Sequence, residues 1–314
     1  MRESKGSMMY DIMIIGAGPA GLTAGIYARR AGKSVLILEK ETFGGQITHS
    51  PKVENYPGFP EMSGSDFGEK LVDQALRLGC EIELDRVSAL QRDQERFRII
   101  GETGVYDGYS VIIAAGSKHR ELGLPREREL VGRGVCYCAV CDGAFYRGKR
   151  AVVVGGGNSA LQEAVFLKDI CQDVTMVQNL DYFTGEEALL TILKKAENVH
   201  FITGCVVSAL NGNPALEEIT IFHTGTGEEE TLQTDAVFVA IGQEPDNSPF
   251  EPFVTPDEYG YIPADETCIL PEPGLFAAGD CRTKRVRQIV TATADGAQSA
   301  IAACRYVDSL KVSG

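Results

Sequence analysis

Short apolar runs separated by glycine-rich turns and by stretches with helical spacing set the pattern of this chain. Residues 10–15 read as a buried strand, a helical stretch runs to about Arg30, and residues 34–38 read as a second strand ending at Glu39. The same order recurs further on, with a strand over 150–154, a helix through about Lys168 and a strand over 173–177. Alternation of this kind predicts an α/β fold with two Rossmann-like dinucleotide-binding domains. No apolar run approaches the roughly 18 residues that a membrane span requires, so no transmembrane helix is expected.

The two turns carry the first chemical signal. Gly16-Ala17-Gly18-Pro19-Ala20-Gly21 is a GxGxxG motif placed between strand and helix. Its first glycine makes the tight turn, the second lets the backbone approach a pyrophosphate, and the third lets the helix pack on the strand. Glu39 closes the next strand, where a carboxylate can hydrogen-bond an adenosine ribose. The second turn, Gly155-Gly156-Gly157-Asn158-Ser159-Ala160, reads GxGxxA. Ala is small enough for the same helix packing, so the phosphate cradle is expected to survive. The strand after it ends in Gln178-Asn179-Leu180 instead of the arginine that a 2'-phosphate wants or the carboxylate that a free 2'-hydroxyl wants. Asp181 lies slightly beyond, and Thr184 with Glu187 is expected to form a capping box for the following helix.

Between the turns lies Cys136-Tyr137-Cys138-Ala139-Val140-Cys141-Asp142-Gly143. The CxxC spacing of Cys138 and Cys141 lets one turn of chain bring two sulfurs within bonding distance, and Asp142 is placed to move a proton to or from a thiolate. A zinc site using Cys136, Cys138 and Cys141 with Cys171 or Cys205 would need a second paired-ligand motif, which the sequence lacks, so no metal is expected. Cys136 reads as a small buried residue. The four histidines, His49, His119, His200 and His223, have no spacing that suggests a metal or a base.

Composition narrows the setting. Nine cysteines scattered over 314 residues, an odd number, do not form a secreted disulfide framework. With no apolar signal segment at the start, a cytoplasmic location is the expectation. A net charge of −14 argues against a nucleic-acid partner, whose phosphates must be met by Lys and Arg.

With the turns and the cysteine cluster in hand, the sequence resembles the low-molecular-weight thioredoxin reductase family over essentially its whole length. The resemblance rests on Cys138-Ala139-Val140-Cys141-Asp142-Gly143-Ala144-Phe145-Tyr146, Gly44-Gly45-Gln46, Asn55-Tyr56-Pro57-Gly58, Ile112-Ile113-Ala114-Ala115-Gly116, and above all Gly274-Leu275-Phe276-Ala277-Ala278-Gly279-Asp280 followed by Arg287-Gln288. It implies FAD as cofactor, held by Gly16, Gly18, Pro19, Ala20, Gly21, Glu39, Lys40, Gly45, Gln46, Asn55, Val87, Ala115, Gly116, Gly279, Asp280, Arg287 and Gln288. Asp280 would meet the ribityl chain, with Arg287 and Gln288 near the isoalloxazine. The resemblance also implies a discontinuous FAD domain, residues 1–120 plus 246–314, with residues 121–245 inserted as the NAD(P)-like domain that carries the CxxC, and a homodimer. Reduced FAD would reduce the Cys138 and Cys141 pair, Cys141 facing the flavin, Cys138 attacking thioredoxin and Asp142 serving as acid and base.

One departure is informative. The family's basic HRRxxxR cluster, which grips the 2'-phosphate of NADPH, falls on Gln178, Asn179, Leu180 and Thr184, and all four basic positions are lost. The chain is similar in this to the pyridine-nucleotide-independent type that takes electrons from reduced ferredoxin. An acidic ferredoxin would need a basic face, for which Arg126, Arg128 and Arg133 or Lys284 and Arg285 are the candidates. NADH as donor, an oxygen-dependent dithiol oxidase and a non-catalytic flavin redox sensor are the rival readings.

Overall fold

Successive residues of β1 (Met9–Ile15) enter different apolar layers: Ile12 and Ile14 join one buried cluster, Met13 and Ile15 another. β2 (Val35–Glu39) alternates in the same way, with Val35 and Ile37 on one side and Leu36 and Leu38 on the other. Burial on both faces is what a central strand of a parallel sheet requires, and it is why these runs read as continuously apolar. A computed structural model describes residues 9–50 and 53–313. The chain divides into two units, Met1–Lys118 with Glu244–Gly314, and His119–Gln243. Each junction lies two residues before the expected one. The crossing segments β7 (Lys118–His119) and β16 (Gln243–Glu244) form a two-stranded ribbon.

In the first unit the sheet order is β3-β2-β1-β6-β5-β4. β3 (Glu81–Leu84), β2, β1 and β6 (Val105–Ile113) run parallel, whereas β5 (Arg96–Gly101) and β4 (Val87–Asp93) return antiparallel. The C-terminal part contributes β17 (Leu275–Ala277), parallel to β6, and α6 (Ile289–Ser313). Leu22 and Ile26 of α1 (Pro19–Arg30) and Ala300, Ala303 and Val307 of α6 bury one sheet face. α2 (Gly64–Arg77) starts where the Ser63 hydroxyl accepts the Asp66 amide at 3.0 Å.

The join between β17 and α6 is electrostatic. Arg282, 1% exposed, donates to both oxygens of Asp295 at 2.7 and 2.9 Å, and Lys284 adds a third bond at 2.8 Å. Burial pushes the Asp295 carboxyl up, but Arg282 and Lys284 outweigh it and hold the group below the usual range. Asp295→Ala would strand two cations and is expected to cost about 3–5 kcal/mol in urea unfolding. Because its folded value is depressed, the carboxylate's contribution is complete above the unfolded carboxyl range. It is lost as pH falls through the depressed value, so the variant's deficit shrinks in acid.

The second unit holds a parallel sheet in the order β11-β10-β9-β15-β8: β11 (Val199–Thr203), β10 (Asp173–Gln178), β9 (Arg150–Val154), β15 (Ala236–Val239) and β8 (Val135–Cys136). α4 (Asn158–Leu167) buries Ala160, Leu161, Ala164 and Leu167 against it. An antiparallel sheet, β12 (Cys205–Asn211), β13 (Glu218–His223) and β14 (Glu229–Gln233), completes the unit. Three histidines acquire defined partners here that spacing did not suggest. His119 stacks on Tyr137, His200 lies 3.5 Å from Asp173, and His223 bridges Cys205 at 3.0 Å and Glu230 at 3.2 Å.

The expected capping box does not form. α5 (Glu187–Lys194) begins after Glu186 without a side-chain cap. Thr184 turns instead toward the second glycine turn, because its backbone amide and that of Gly185 both donate to the Gly156 carbonyl, at 2.9 and 3.0 Å.

Candidate active site

In the first unit the ends of β1, β6 and β17 lie side by side, and the glycines after them come together because nothing larger fits. A Cβ on Gly16, whose φ is +109°, would stand 2.2 Å from the Ala114 carbonyl oxygen, and one on Gly21 would stand 1.8 Å from the Gly16 oxygen. Gly45 approaches Gly18 and Gly279 approaches Ala20, each so closely that an added Cβ would lie 2.8 Å away. Pro19 opens α1, so the amides of the turn are those of a helix N-terminus. Gly21→Ala is therefore expected to force the turn open, costing about 1–3 kcal/mol by overpacking and releasing flavin. Thermal melting and the absorbance of the purified protein read both effects.

Glu39 is more occupied than expected. Its buried carboxylate accepts the Ala17 amide at 2.7 Å and the Lys40 and Glu41 amides at 2.9 Å, locking the strand end to the turn. Lys40 pairs with Asp246 at 3.0 Å and, with Glu41, Arg86, Lys118 and Tyr259, lines an open pocket at the end of β2. Val87 is buried at the start of β4 next to Arg86, while Gln46 is exposed. Ala115 and Gly116 follow β6, and Gly116 takes a φ of +68°.

The C-terminal segment leaves polar groups waiting. Asp280 Oδ1 and Arg287 Nε are closed from solvent and have no hydrogen-bond partner in the protein. Burial raises the Asp280 carboxyl, against the pull of Lys284 and Arg287. The Arg287 guanidinium lies 3.9 Å from the Tyr261 ring centre, and Asn55 donates to Gln288 at 3.1 Å, which brings two distant sequence motifs into one place. A close glycine cradle at one end and orphaned polar groups at the other fit a long ligand with a pyrophosphate in its middle, as FAD is.

In the second unit Cys138 and Cys141 form a disulfide across the one-turn helix α3 (Ala139–Asp142), which Cys138 caps by accepting the Cys141 amide at 3.2 Å. In the disulfide neither sulfur is free as a thiolate ligand, and no group of three or more His, Cys, Asp or Glu that could hold a metal ion is found among the described residues. Asp142 stands behind the disulfide with Oδ1 closed from solvent and unpaired, and burial pushes its carboxyl up to about 6. Cys136 is buried, as expected, and its thiol donates to the Tyr146 hydroxyl at 3.7 Å.

Sequence reasoning missed Glu163. It lies on α4 between the buried positions Ala160, Ala164 and Leu167, and an acid on an apolar helix face was the available signal. Burial pushes its carboxyl up to about 8, the Ala139 amide opposing and the Asp142 charge adding.

The second glycine turn keeps its shape but is covered. Gly155 has a φ of +134° and abuts the Ala240 carbonyl. The chain over 184–186 folds back on the helix start, where an added Cβ on Gly185 would stand 3.1 Å from the Asn158 amide nitrogen. Asn158 and Glu186 exchange two hydrogen bonds, at 2.7 and 3.2 Å. The buried Gln178 side chain bonds its own neighbours, Asn179 and Tyr182. Among the basic residues expected to face an acidic donor, Lys284 is buried against Asp295, Arg126 pairs with Glu129, and Arg128 pairs with Glu121. Arg133 and Arg285 are exposed.

Comparison with known proteins agrees with this arrangement. Residues 10–296 match the pyridine nucleotide-disulphide oxidoreductase family. The chain is 40% identical to a thioredoxin reductase of Bacillus subtilis over 99% of its own length and 98% of the relative's. It is also 40% identical to a 34.2 kDa protein in the rubredoxin operon of Clostridium pasteurianum, over 98% of this chain and 99% of that one. The crystal structure of thioredoxin reductase from Streptococcus pyogenes superposes with a TM-score of 0.91 at 36% identity, covering 96% of this chain and 99% of that one. No helix of the described residues is long and apolar enough to cross a membrane. The chain therefore belongs to the pyridine nucleotide-disulphide oxidoreductase family, as a thioredoxin reductase-type FAD flavoprotein.

Proposed function

We propose that this protein reduces the disulfide of thioredoxin through Cys138 and Cys141, with reduced ferredoxin rather than NADPH as the source of electrons. The observation that carries the first half is the Cys138–Cys141 disulfide set in front of the closed-off Asp142. When bound, FAD supplies a two-electron reductant for a disulfide. Gly16, Gly18, Pro19, Ala20, Gly21, Gly45 and Gly279 hold its phosphates, with Glu39, Lys40 and Val87 at the adenosine end. Gln46, Asn55, Ala115, Gly116, Asp280, Arg287 and Gln288 line the remainder. Cys138 attacks the substrate disulfide, Cys141 resolves the mixed disulfide, and Asp142 takes and returns the proton at sulfur.

The donor assignment rests on the second turn. With no basic residue at 178, 179, 180 or 184, a 2'-phosphate has no charge to meet. The 184–186 chain, bonded to Gly156 and Asn158, stands where a pyrophosphate would approach the helix start, which disfavours NADH as well. A one-electron protein donor needs neither contact. The protein acts as a cytoplasmic homodimer, on the pattern of the family. The test is reconstitution: reduced ferredoxin, this protein and thioredoxin together should reduce insulin. Failure with ferredoxin but turnover with NADPH would refute the donor assignment, and oxygen uptake with small dithiols alone would favour a dithiol oxidase.

A further inference from the structure

Two carboxyl groups stand behind the disulfide where one was expected. Glu163 reaches from α4 toward the Ala139 amide, in the turn that Cys138 and Cys141 bracket, and its Oε2 is closed from solvent with no hydrogen-bond partner. Asp142 Oδ1, at the end of the same turn, is closed off and unpartnered too. Among the described residues, Cys136 and Tyr146, which bond each other, are titratable groups within reach of this pair, and no cation offsets the burial of either carboxyl. Two carboxylates cannot both be charged cheaply in one desolvated space.

We propose that Glu163 is the positioning partner of Asp142: the two form a buried carboxyl pair behind the dithiol that carries a single negative charge, so that the proton moved in thiol-disulfide exchange is held within the pair. The inference rests on the exchange role given above to Asp142. In that exchange the Cys138 thiol gives its proton to Asp142 and attacks a substrate sulfur, the substrate S–S bond breaks as the mixed disulfide forms, and Asp142 returns the proton to the departing sulfur. The Cys141 thiol then gives its proton to Asp142 and attacks Cys138 Sγ, the mixed disulfide breaks, the released substrate sulfur takes that proton from Asp142, and the Cys138–Cys141 bond returns. The dithiol loses two electrons and the substrate disulfide gains them. Glu163 keeps its own proton throughout, which fixes Asp142 as the member that ionises. The upward shifts of both carboxyls agree with a pair of this kind.

The test uses the FAD-loaded protein reduced with dithiothreitol. Alkylation of Cys138 and Cys141 by iodoacetamide is followed against pH by mass spectrometry, for wild type, Glu163→Gln, Glu163→Asp and Asp142→Asn. Wild type should show two carboxyl-linked inflections below the titration of the thiols. Glu163→Gln should lose the upper one and, where wild type carries both charges, alkylate up to about tenfold faster, the effect of one pKa unit of like-charge repulsion. Glu163→Asp should restore the upper inflection. The infrared difference between wild type and Glu163→Gln at pH 7 should contain the stretch of a protonated carboxylic acid. A Glu163→Gln profile that superimposes on wild type while Asp142→Asn alters it overturns the pair and leaves Asp142 in its role. Loss of both effects sinks the exchange role itself. If Glu163→Gln does not fold, an infrared titration in which wild type shows no protonated carboxylic acid at pH 7 overturns the proposal.

Discussion

Cys138→Ser and Cys141→Ser each leave a yellow, FAD-loaded protein whose thioredoxin reduction falls by about three orders of magnitude or more. The expectation follows from how the sulfurs are held. They sit in the second unit, on a helix of one turn, whereas the glycine cradle and the orphaned Asp280 and Arg287 groups belong to the first. A serine at 138 removes the sulfur that caps the Cys141 amide, but a hydroxyl accepts the same hydrogen bond, so the helix should persist. Folding and flavin content should therefore match wild type while exchange stops. Flavin absorbance of the purified variants and an insulin reduction assay check the two halves separately. Retained turnover in either variant would remove the disulfide from the reaction.

Much of this arrangement was legible because it is imposed by short-range constraints. Gly16, Gly21 and Gly155 are glycines for reasons of ångströms: any Cβ would enter a carbonyl oxygen. Strand, turn and helix therefore announce themselves in sequence order: β1 and β2 fall within one residue of the expected bounds at each end, and α1 ends at Arg30 as expected but starts at Pro19, inside the glycine-rich turn. What escaped depends on contacts between residues far apart. Thr184 satisfies the Gly156 carbonyl 28 positions away, and a capping-box pattern cannot reveal that competition. Lys284 reads as a surface base, yet Asp295 draws it into a buried ion pair one helical segment later. Cys205, His223 and Glu230 meet only because three antiparallel strands lay them side by side. Glu163 was hidden for a different reason, since an acid among apolar helix positions is ordinarily rotated out to solvent, and only the packing of α4 on the redox turn keeps its Oε2 dry.

Restoring charge at the second turn provides the other large effect. Anaerobic titration of the oxidised flavin should show bleaching by reduced ferredoxin and none by micromolar NADPH or NADH. Asn179 and Leu180 are exposed, so Asn179→Arg and Leu180→Arg can be introduced together without disturbing the sheet. Each arginine on a phosphate contributes roughly 1.5–3 kcal/mol, so the pair is expected to improve NADPH affinity by about 10²- to 10⁴-fold. NADH affinity should scarcely change, because it lacks the 2'-phosphate that the arginines would meet. Thr184 and Gly185 set a ceiling on the gain, since their amides remain bonded to the Gly156 carbonyl and the chain must yield before a pyrophosphate reaches the Asn158 end of α4. Adding Glu186→Ala removes the carboxylate that bonds Asn158 and repels the incoming phosphates, and should raise affinity for both nucleotides alike. Equilibrium binding of NADPH and NADH to the three proteins separates the two contributions. A double-arginine variant that gains nothing for NADPH, with Glu186→Ala gaining for neither, would mean that the missing charges are not what keeps the nucleotide out.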